Sequence, residues 1–186
     1  MEVFFMFKNF LDSAKSIKNL RVLCATALLS AIYVAIYAVK IPLGDQLRIT
    51  FTFVPVALAG WLFGIVPAVI VGALGDFLGC YIFPQGAYFW GFTVTAVLTG
   101  VIFGLCLYKK DGKKLFWYVA LSKFLVSLLL NVGLNSYWAT LFVPKSFFVI
   151  MWSKVLKNAL MLPIEIIVLF AVIEGLKRAG VQKMYK

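Results

Sequence analysis

The sequence predicts an all-α membrane protein with six transmembrane helices and with both termini on the cytoplasmic side. Of its 186 residues, 63% are hydrophobic and only 13% are charged, whereas soluble domains are about half apolar and about a quarter charged. The apolar residues form six runs, each near the length of about 20 residues that crosses a bilayer. The positive charges gather between alternate runs, which is the usual mark of cytoplasmic loops.

The six predicted spans follow one another with short connections. They cover residues 20–39, 49–64, 66–83, 88–108, 115–137 and 147–176. The second and third spans are short, and the stretch GIVP between them indicates a tight reversal rather than one long helix broken at Pro67. We divide the chain into an N-terminal cytoplasmic or interfacial segment (1–19), a six-helix bundle (20–176) and a basic cytoplasmic tail (177–186).

Lysine and arginine residues set the predicted orientation. With six spans, three groups of positive charge fall on the same side of the membrane. The groups are Lys8, Lys15, Lys18 and Arg21, then Lys109, Lys110, Lys113 and Lys114, and finally Lys177, Arg178, Lys183 and Lys186. The aromatic residues and lysines of the first segment are typical of an interfacial helix on an anionic lipid surface.

Several classes of enzyme are disfavoured by what the sequence lacks. It contains no histidine, the commonest metal ligand and general base, and its three cysteines are widely spaced in apolar runs. It has no GxxxxGK[ST] phosphate-binding loop, so we do not expect this chain to hydrolyse ATP. We therefore predict a protein that is not an enzyme and holds no metal or cofactor of its own.

Three lysines lie within the predicted spans, where an uncompensated charge is costly. Lys123 in the fifth span and Glu165 in the sixth fall at a similar depth, so we predict that they form an ion pair. Lys154 and Lys157 are three residues apart on one helical face, about 10–15 Å below the outer end of the sixth span. No acidic residue lies at their level, so we expect an anionic ligand to neutralise them. The alternative is that they extend to the lipid headgroups.

Other polar and aromatic residues fall in the same outer layer and complete a predicted binding site. They are Gln46, Arg48, Gln85, Tyr88, Trp90, Asn131, Asn135 and Trp138, and Asp76 lies below them near the middle of the third span, at the floor of the predicted site. Taken singly, such residues also occur in interfacial belts and in hydrogen bonds between helices. Together they suit a flat heteroaromatic ligand with a negative tail, because aromatic rings stack, amides meet ring edges and cations bind carboxylates. In this reading, the Asp76 carboxylate accepts two hydrogen bonds from an amino-pyrimidine edge.

The first span carries a stripe of small residues, Ala27, Ala31 and Ala35, spaced four apart. Such a stripe allows another helix to approach closely. That helix can belong to the same bundle or to another protein, and the pattern alone does not choose between them.

Four stretches resemble the folate-specific substrate-binding subunit of energy-coupling-factor (ECF) vitamin transporters. They are LRITFTFVPVALAGWLFGIVPAVIVGALGDFLG, FPQGAYFWGFTVTAVLTGVIFGL, LNSYWATLF and KVLKNALMLPIE. The resemblance implies six helices in a bacterial cell membrane and a vitamin pocket on the outer side. It also implies that a transmembrane coupling subunit docks on the alanine stripe and that two cytoplasmic ATPases supply the energy. The family commonly has arginine where Lys154 stands, and lysine keeps the charge without the bidentate geometry.

Folate is the ligand that both lines of reasoning favour, because its two carboxylates would neutralise Lys154 and Lys157, with Arg48 as a third candidate. We keep three alternatives open. The first is an ECF subunit for another anionic vitamin, such as biotin or pantothenate. The second is a stand-alone ion-coupled carrier in which Asp76 and Glu165 relay protons or ions. The third is a membrane scaffold without transport activity. The expected contacts also include membrane lipid but no nucleic acid.

Overall fold

The computed structural model describes residues 12–39, 41–42, 48–84, 88–110, 112, 114–141 and 146–181, with the backbone alone at residues 41, 42, 48 and 49. Residues 12–16 are also helical, and the helices that follow are α1 (Leu20–Ala38), α2 (Phe53–Phe63), α3 (Ile65–Ile82), α4 (Trp90–Leu107), α5 (Leu115–Leu125), α6 (Asn135–Thr140) and α7 (Phe147–Arg178). A π-helical segment, Val126–Leu134, joins α5 to α6. Two short strands, β1 (Ile41–Pro42) and β2 (Arg48–Ile49), pair in an antiparallel hairpin between α1 and α2.

The predicted polytopic, all-helical membrane architecture is confirmed. Among the described residues, five helical stretches are long and apolar enough to cross a membrane, and α2 is a sixth, shorter apolar helix. The fifth long stretch, Leu115–Thr140, consists of α5, the π-helical segment and α6 in continuous succession.

The second predicted span is wrong at its N-terminal end. We expected it to begin at residue 49, but α2 begins at Phe53, because Arg48 and Ile49 pair with β1 instead. At 1.5 Å per residue, its 11 residues extend only about 16 Å, roughly half the hydrocarbon thickness of a bilayer. Its residues are almost all buried, including Ala57, Ala59 and Trp61, so α2 lies inside the bundle rather than against lipid.

The tight reversal between α2 and α3 is confirmed at Gly64. This residue has a φ of 92°, a conformation that side chains rarely adopt, and α3 begins at the next residue. The buried Ser13 closes the turn: its hydroxyl donates to the Phe63 carbonyl at 2.9 Å and accepts the Val66 N–H at 3.0 Å. The residues just before α1 are therefore packed against the α2–α3 turn.

Three connections that the topology prediction placed on one side do gather at one end of the bundle. Asp12, before α1, forms an ion pair with Lys109 at 3.5 Å. The indole N–H of Trp61, near the end of α2, donates to the Lys110 carbonyl at 3.2 Å. The N-terminal residues, the α2–α3 turn and the α4–α5 loop thus share one end, which is the end that we predict to be cytoplasmic.

Glycines allow α3 and α4 to pack with their backbones in contact. A Cβ atom on Gly100 would lie 2.8 Å from the main-chain carbonyl of Ala68, and one on Gly104 would lie 2.5 Å from the Cα of Ile65. Neither distance is compatible with a side chain, so the approach of the two helices depends on these glycines.

The fifth span and α7 run antiparallel, with contacts at three levels. Phe116 meets Phe170 edge to face at 5.4 Å, Lys123 pairs with Glu165, and Asn135 contacts Lys154. We predicted a regular helix for the fifth span, but its middle nine residues are π-helical. Wide helical turns of this kind often occur at functional sites. This segment begins three residues after Lys123 and ends at the residue before Asn135.

Candidate ligand-binding site

The ammonium group of Lys154 lies between α7 and the end of the fifth span. Its Nζ donates a hydrogen bond to the main-chain carbonyl of Asn135 at 2.5 Å, and the residue is half-buried. Within the described part of the chain, no carboxylate lies within ion-pair distance of this group. An ammonium group has three donors. The neutral carbonyl therefore orients the lysine without compensating its charge.

Unsatisfied polar atoms lie next to this lysine. The side-chain amide of Asn135 donates to the Asn131 Oδ1 atom at 3.5 Å, so the two asparagines lie together as predicted. The Oδ1 atom of Asn135 and the Nε1 atom of Trp138 are buried without a hydrogen-bond partner among the described residues. Each such atom costs about 1–3 kcal/mol unless a partner is supplied. An acceptor and a donor are thus available beside the cation.

The rings of Trp138, Phe89 and Tyr137 form what we call the aromatic wall. The Trp138 indole packs edge to face against Phe89 and against Tyr137, and the ring centroids in each pair are 5.3 Å apart. It also lies over the backbone of Gly91, where any side chain would collide with it. Phe89 was absent from the predicted site, although its neighbours Tyr88 and Trp90 were included. The wall connects the end of the fifth span with the start of α4.

A second polar group lies where α3 meets α4. Asp76 is buried and accepts a hydrogen bond from the Thr93 hydroxyl at 2.8 Å. The Tyr88 hydroxyl lies 2.6 Å from the same Thr93 oxygen. The ring of Tyr88 packs edge to face against Phe77 at 5.9 Å and Trp90 at 5.3 Å. Trp90 itself is largely exposed, with 69% of its surface accessible.

The predicted ion pair in the middle of the bundle is confirmed. Lys123 Nζ lies 3.2 Å from Glu165 Oε2, and the two side chains are 2% and 10% exposed. The same ammonium group also lies over the ring of Phe53, 3.2 Å from its centroid. The carboxylate and the aromatic face of α2 together compensate this buried charge.

The two outer lysines, Lys154 and Lys157, were predicted to lack an acidic partner at their own level. The hydrogen-bond partner of the Lys154 ammonium group is the neutral Asn135 carbonyl of α6, and the described residues place no carboxylate at ion-pair distance from it. Lys157 lies about one turn further along α7 and is half-buried. Glu165 forms its ion pair with Lys123.

Three predicted site residues cannot be placed with the others. Gln46 and Gln85 lie outside the described residues, and Arg48 is described only through its backbone pairing with Pro42. The structure brings Asn131, Asn135 and Lys154 together by hydrogen bonds, and Trp138 lies one turn further along α6. It links Asp76 to Tyr88 through Thr93, and Tyr88 contacts Trp90 ring to ring. Thr93 was not among the predicted site residues, because nothing in its spacing links it to Asp76, which lies 17 positions away on the preceding helix.

The alanine stripe of α1 is on the outside of the bundle. Ala27, Ala31 and Ala35 are all exposed, while the opposite face of the helix is buried through residues such as Tyr33 and Tyr37. The stripe is therefore not used for packing within the described part of the protein, although its spacing suits a helix–helix contact.

Comparison with known proteins identifies the family. Residues 21–173 match the family described as ECF transporter, substrate-specific component. The chain is 40% identical over 124 residues to the folate transporter FolT of Clostridium novyi, a match that covers 67% of this chain and 71% of that protein. It is 33% identical over 127 residues to the folate transporter FolT of Leuconostoc mesenteroides, covering 66% of this chain and 68% of that protein.

A solved structure, described as the crystal structure of FolT bound with folic acid, has the same fold. The two structures superpose with a TM-score of 0.75 at 30% sequence identity, over 83% of this chain and 93% of that chain. Since both the sequence and the fold match over most of their length, this chain belongs to the substrate-specific components of ECF transporters, which are multi-pass bacterial membrane proteins and not enzymes.

Proposed function

We propose that this chain binds folate on the outer side of the membrane and delivers it inward together with a coupling subunit and two ATPases. The observation that carries this proposal is the Lys154 ammonium group, which is half-buried and whose partner within the described residues is a neutral carbonyl. A carboxylate of the glutamate tail would neutralise it. The two relatives and the solved structure named above support folate over biotin or pantothenate.

The remaining side chains fit the other parts of folate. Beside Lys154, the unpartnered Asn135 Oδ1 and Trp138 Nε1 offer an acceptor and a donor, which suit the amide N–H and the carboxylate oxygens of the benzoyl-glutamate part. Asp76, where α3 meets α4, is an acceptor for the amino-pyrimidine edge of the pterin. Phe89 and Tyr88 supply the faces and edges against which a flat ring packs.

A binding experiment on the purified protein tests the ligand and the role of the cation together. Folic acid is compared with pteroic acid, which ends at the benzoate and lacks the glutamate tail. We expect pteroic acid to bind more weakly to the wild-type protein, and we expect Lys154→Met to reduce that difference, because the tail and the lysine act on each other. Tight binding of biotin or pantothenate with no binding of folic acid would show that the proposed substrate is wrong.

The coupling subunit is proposed to dock on the alanine stripe of α1. The exposure of Ala27, Ala31 and Ala35 in a helix whose other face is buried supports this, because a flat surface lets a partner helix approach closely. We expect Ala31→Leu to leave folate binding intact and to abolish uptake in cells. Ala171→Leu, which places the same bulk on an exposed position of α7, is the matched control and should allow uptake.

Energy from ATP is proposed to come from partner subunits. Uptake by the wild-type chain should therefore require cells that contain the coupling subunit and the ATPases. Strong accumulation of folate in cells without them would instead indicate a carrier that works alone.

A further inference from the structure

The Thr93 hydroxyl joins two parts of the site that come from different helices. It lies 2.8 Å from Asp76 Oδ2 on α3 and 2.6 Å from the Tyr88 hydroxyl, just before α4. The other threonines of α4 behave differently. Thr95 donates to the Gly91 carbonyl at 3.0 Å and Thr99 to the Thr95 carbonyl at 2.8 Å, which is the ordinary bond of a threonine to its own helix. Thr93 alone among these three uses its hydroxyl between side chains.

The directions of these two hydrogen bonds follow from counting the hydroxyl protons. A threonine hydroxyl has one hydrogen, and Thr93 donates it to the Asp76 carboxylate. The short contact with Tyr88 must then be a bond in which the phenol donates and Thr93 accepts. The order is therefore Tyr88 to Thr93 to Asp76, and each bond polarises the next.

This order connects the ring of Tyr88 with the buried carboxylate of Asp76. The ring of Tyr88 is held at its far end by Thr93, and its sides pack against Phe77 and Trp90. Without the Thr93 hydroxyl, the phenol would lose its acceptor and the carboxylate would lose a donor in a partly buried place. The loss leaves both groups unsatisfied, and it frees the Tyr88 ring to turn.

We propose that Thr93 is a positioning residue for ligand capture, which holds Tyr88 and Asp76 in one fixed arrangement across α3 and α4. The proposal rests on the proposed function, since the ligand edge is taken to meet Asp76 while its ring meets Tyr88. Thr93 does not itself need to touch the ligand. The Thr93 hydroxyl keeps Tyr88 and Asp76, the two residues that are taken to touch the ligand, from moving independently.

Two substitutions of nearly equal size test this role. Thr93→Val removes the hydroxyl and keeps the shape, whereas Thr93→Ser keeps the hydroxyl. We expect Thr93→Val to release bound folate about tenfold faster, or more, as for the loss of a hydrogen bond to a charged group. Thr93→Ser should release folate at close to the wild-type rate. Thr99→Val is the matched control, because its hydroxyl bonds only to its own helix, and it should also behave as wild type.

A double substitution separates positioning from general loosening of the fold. Tyr88→Phe removes the hydrogen bond between Tyr88 and Thr93 from its other end, so it should also accelerate the release of folate. In a protein that already carries Thr93→Val, adding Tyr88→Phe should have little further effect, because the shared bond is gone. Fully additive effects of the two changes would overturn the proposal, and so would equal release rates for Thr93→Val and Thr99→Val.

A readout without ligand keeps this inference separate from the proposed function. In the ligand-free protein in nanodiscs, hydrogen–deuterium exchange of residues 88–92 should be faster for Thr93→Val than for Thr99→Val or wild type. Failure of wild type to bind folate would contradict the proposed function, and the exchange measurement would still decide whether Thr93 holds Tyr88. Normal folate binding by wild type with unchanged release and exchange in Thr93→Val would overturn the positioning role alone.

Discussion

The buried ion pair between Lys123 and Glu165 provides the most direct test of how this bundle accommodates charge. We consider Glu165→Gln, which keeps the size of the side chain and removes its charge. The Lys123 ammonium group would then be left in a place where its side chain is 2% exposed, with the face of Phe53 as the contact that still favours the charge. The change therefore removes one of the two interactions that the structure provides for this cation.

The expected magnitude follows from these two contacts. Breaking a buried ion pair by removing one partner costs about 3–5 kcal/mol. A desolvated contact between a cation and an aromatic ring contributes about 2 kcal/mol, and this contact is kept. We therefore expect a loss near the lower end of the range, about 3 kcal/mol in the free energy of unfolding.

Two further variants make the measurement interpretable. The double variant Lys123→Met/Glu165→Leu removes both charges, and we expect it to be more stable than Glu165→Gln, because no buried charge is left uncompensated. Glu174→Gln is the matched control. Glu174 pairs with Lys177 at 3.7 Å and Arg178 at 3.6 Å, but all three side chains are at least 31% exposed. Such exposed pairs contribute about 0–1 kcal/mol.

The assay is unfolding of the purified protein in detergent, followed by tryptophan fluorescence. The expected order of stability runs from wild type and Glu174→Gln at the top to Glu165→Gln at the bottom, with the double variant above Glu165→Gln. The reasoning would be refuted if Glu165→Gln were as stable as Glu174→Gln. It would also be refuted if the double variant were the least stable, because the carboxylate would then contribute something other than charge compensation.

Three further predictions concern the ligand and the packing. Lys157→Ala should weaken folate binding by about 1.5–3 kcal/mol, the usual contribution of a charge-assisted contact; unchanged affinity in a titration would remove this lysine from the site. Trp138→Phe removes a buried N–H without a partner, so it should weaken folate binding by about 1 kcal/mol without lowering the unfolding temperature of the ligand-free protein. A fall in both quantities would point to a packing role instead. Gly100→Ala should destabilise the protein by about 1–3 kcal/mol, because its Cβ would meet the backbone of α3, whereas Gly175→Ala, with open space around it, should not. Equal thermal stability of these two variants would contradict the proposed close approach of α3 and α4.

Depth along the spans was the part of the sequence analysis that predicted contacts most directly. Lys123 and Glu165 are 42 positions apart, yet counting residues from the ends of their helices placed them at the same level, and the structure pairs them. The same counting placed Asn135 near Lys154, which the structure also brings together. Counting works here because membrane helices are nearly parallel and have a fixed rise per residue.

Counting could not predict which helix departs from regular geometry. The hairpin of β1 and β2 takes residues that we had assigned to the second span, and the π-helical segment widens the middle of the fifth. The residues of the π-helical segment are as apolar as those of a regular span, so hydropathy gives no warning there. The local path of the backbone is decided by pairing and packing with other parts of the chain.

Hydropathy and charge along the sequence were enough to predict the multi-pass membrane class, the order of the spans and the ion pair of Lys123 with Glu165. These follow from hydropathy and charge, which each residue carries irrespective of its neighbours in space. Only the tertiary structure decided that Thr93 bridges Tyr88 and Asp76, that Lys154 rests on the Asn135 carbonyl, and that the alanine stripe of α1 is left exposed. Which hydrogen bonds form and which helix face is exposed depend on the rotation of each helix about its own axis. That rotation is set by how all the helices pack together.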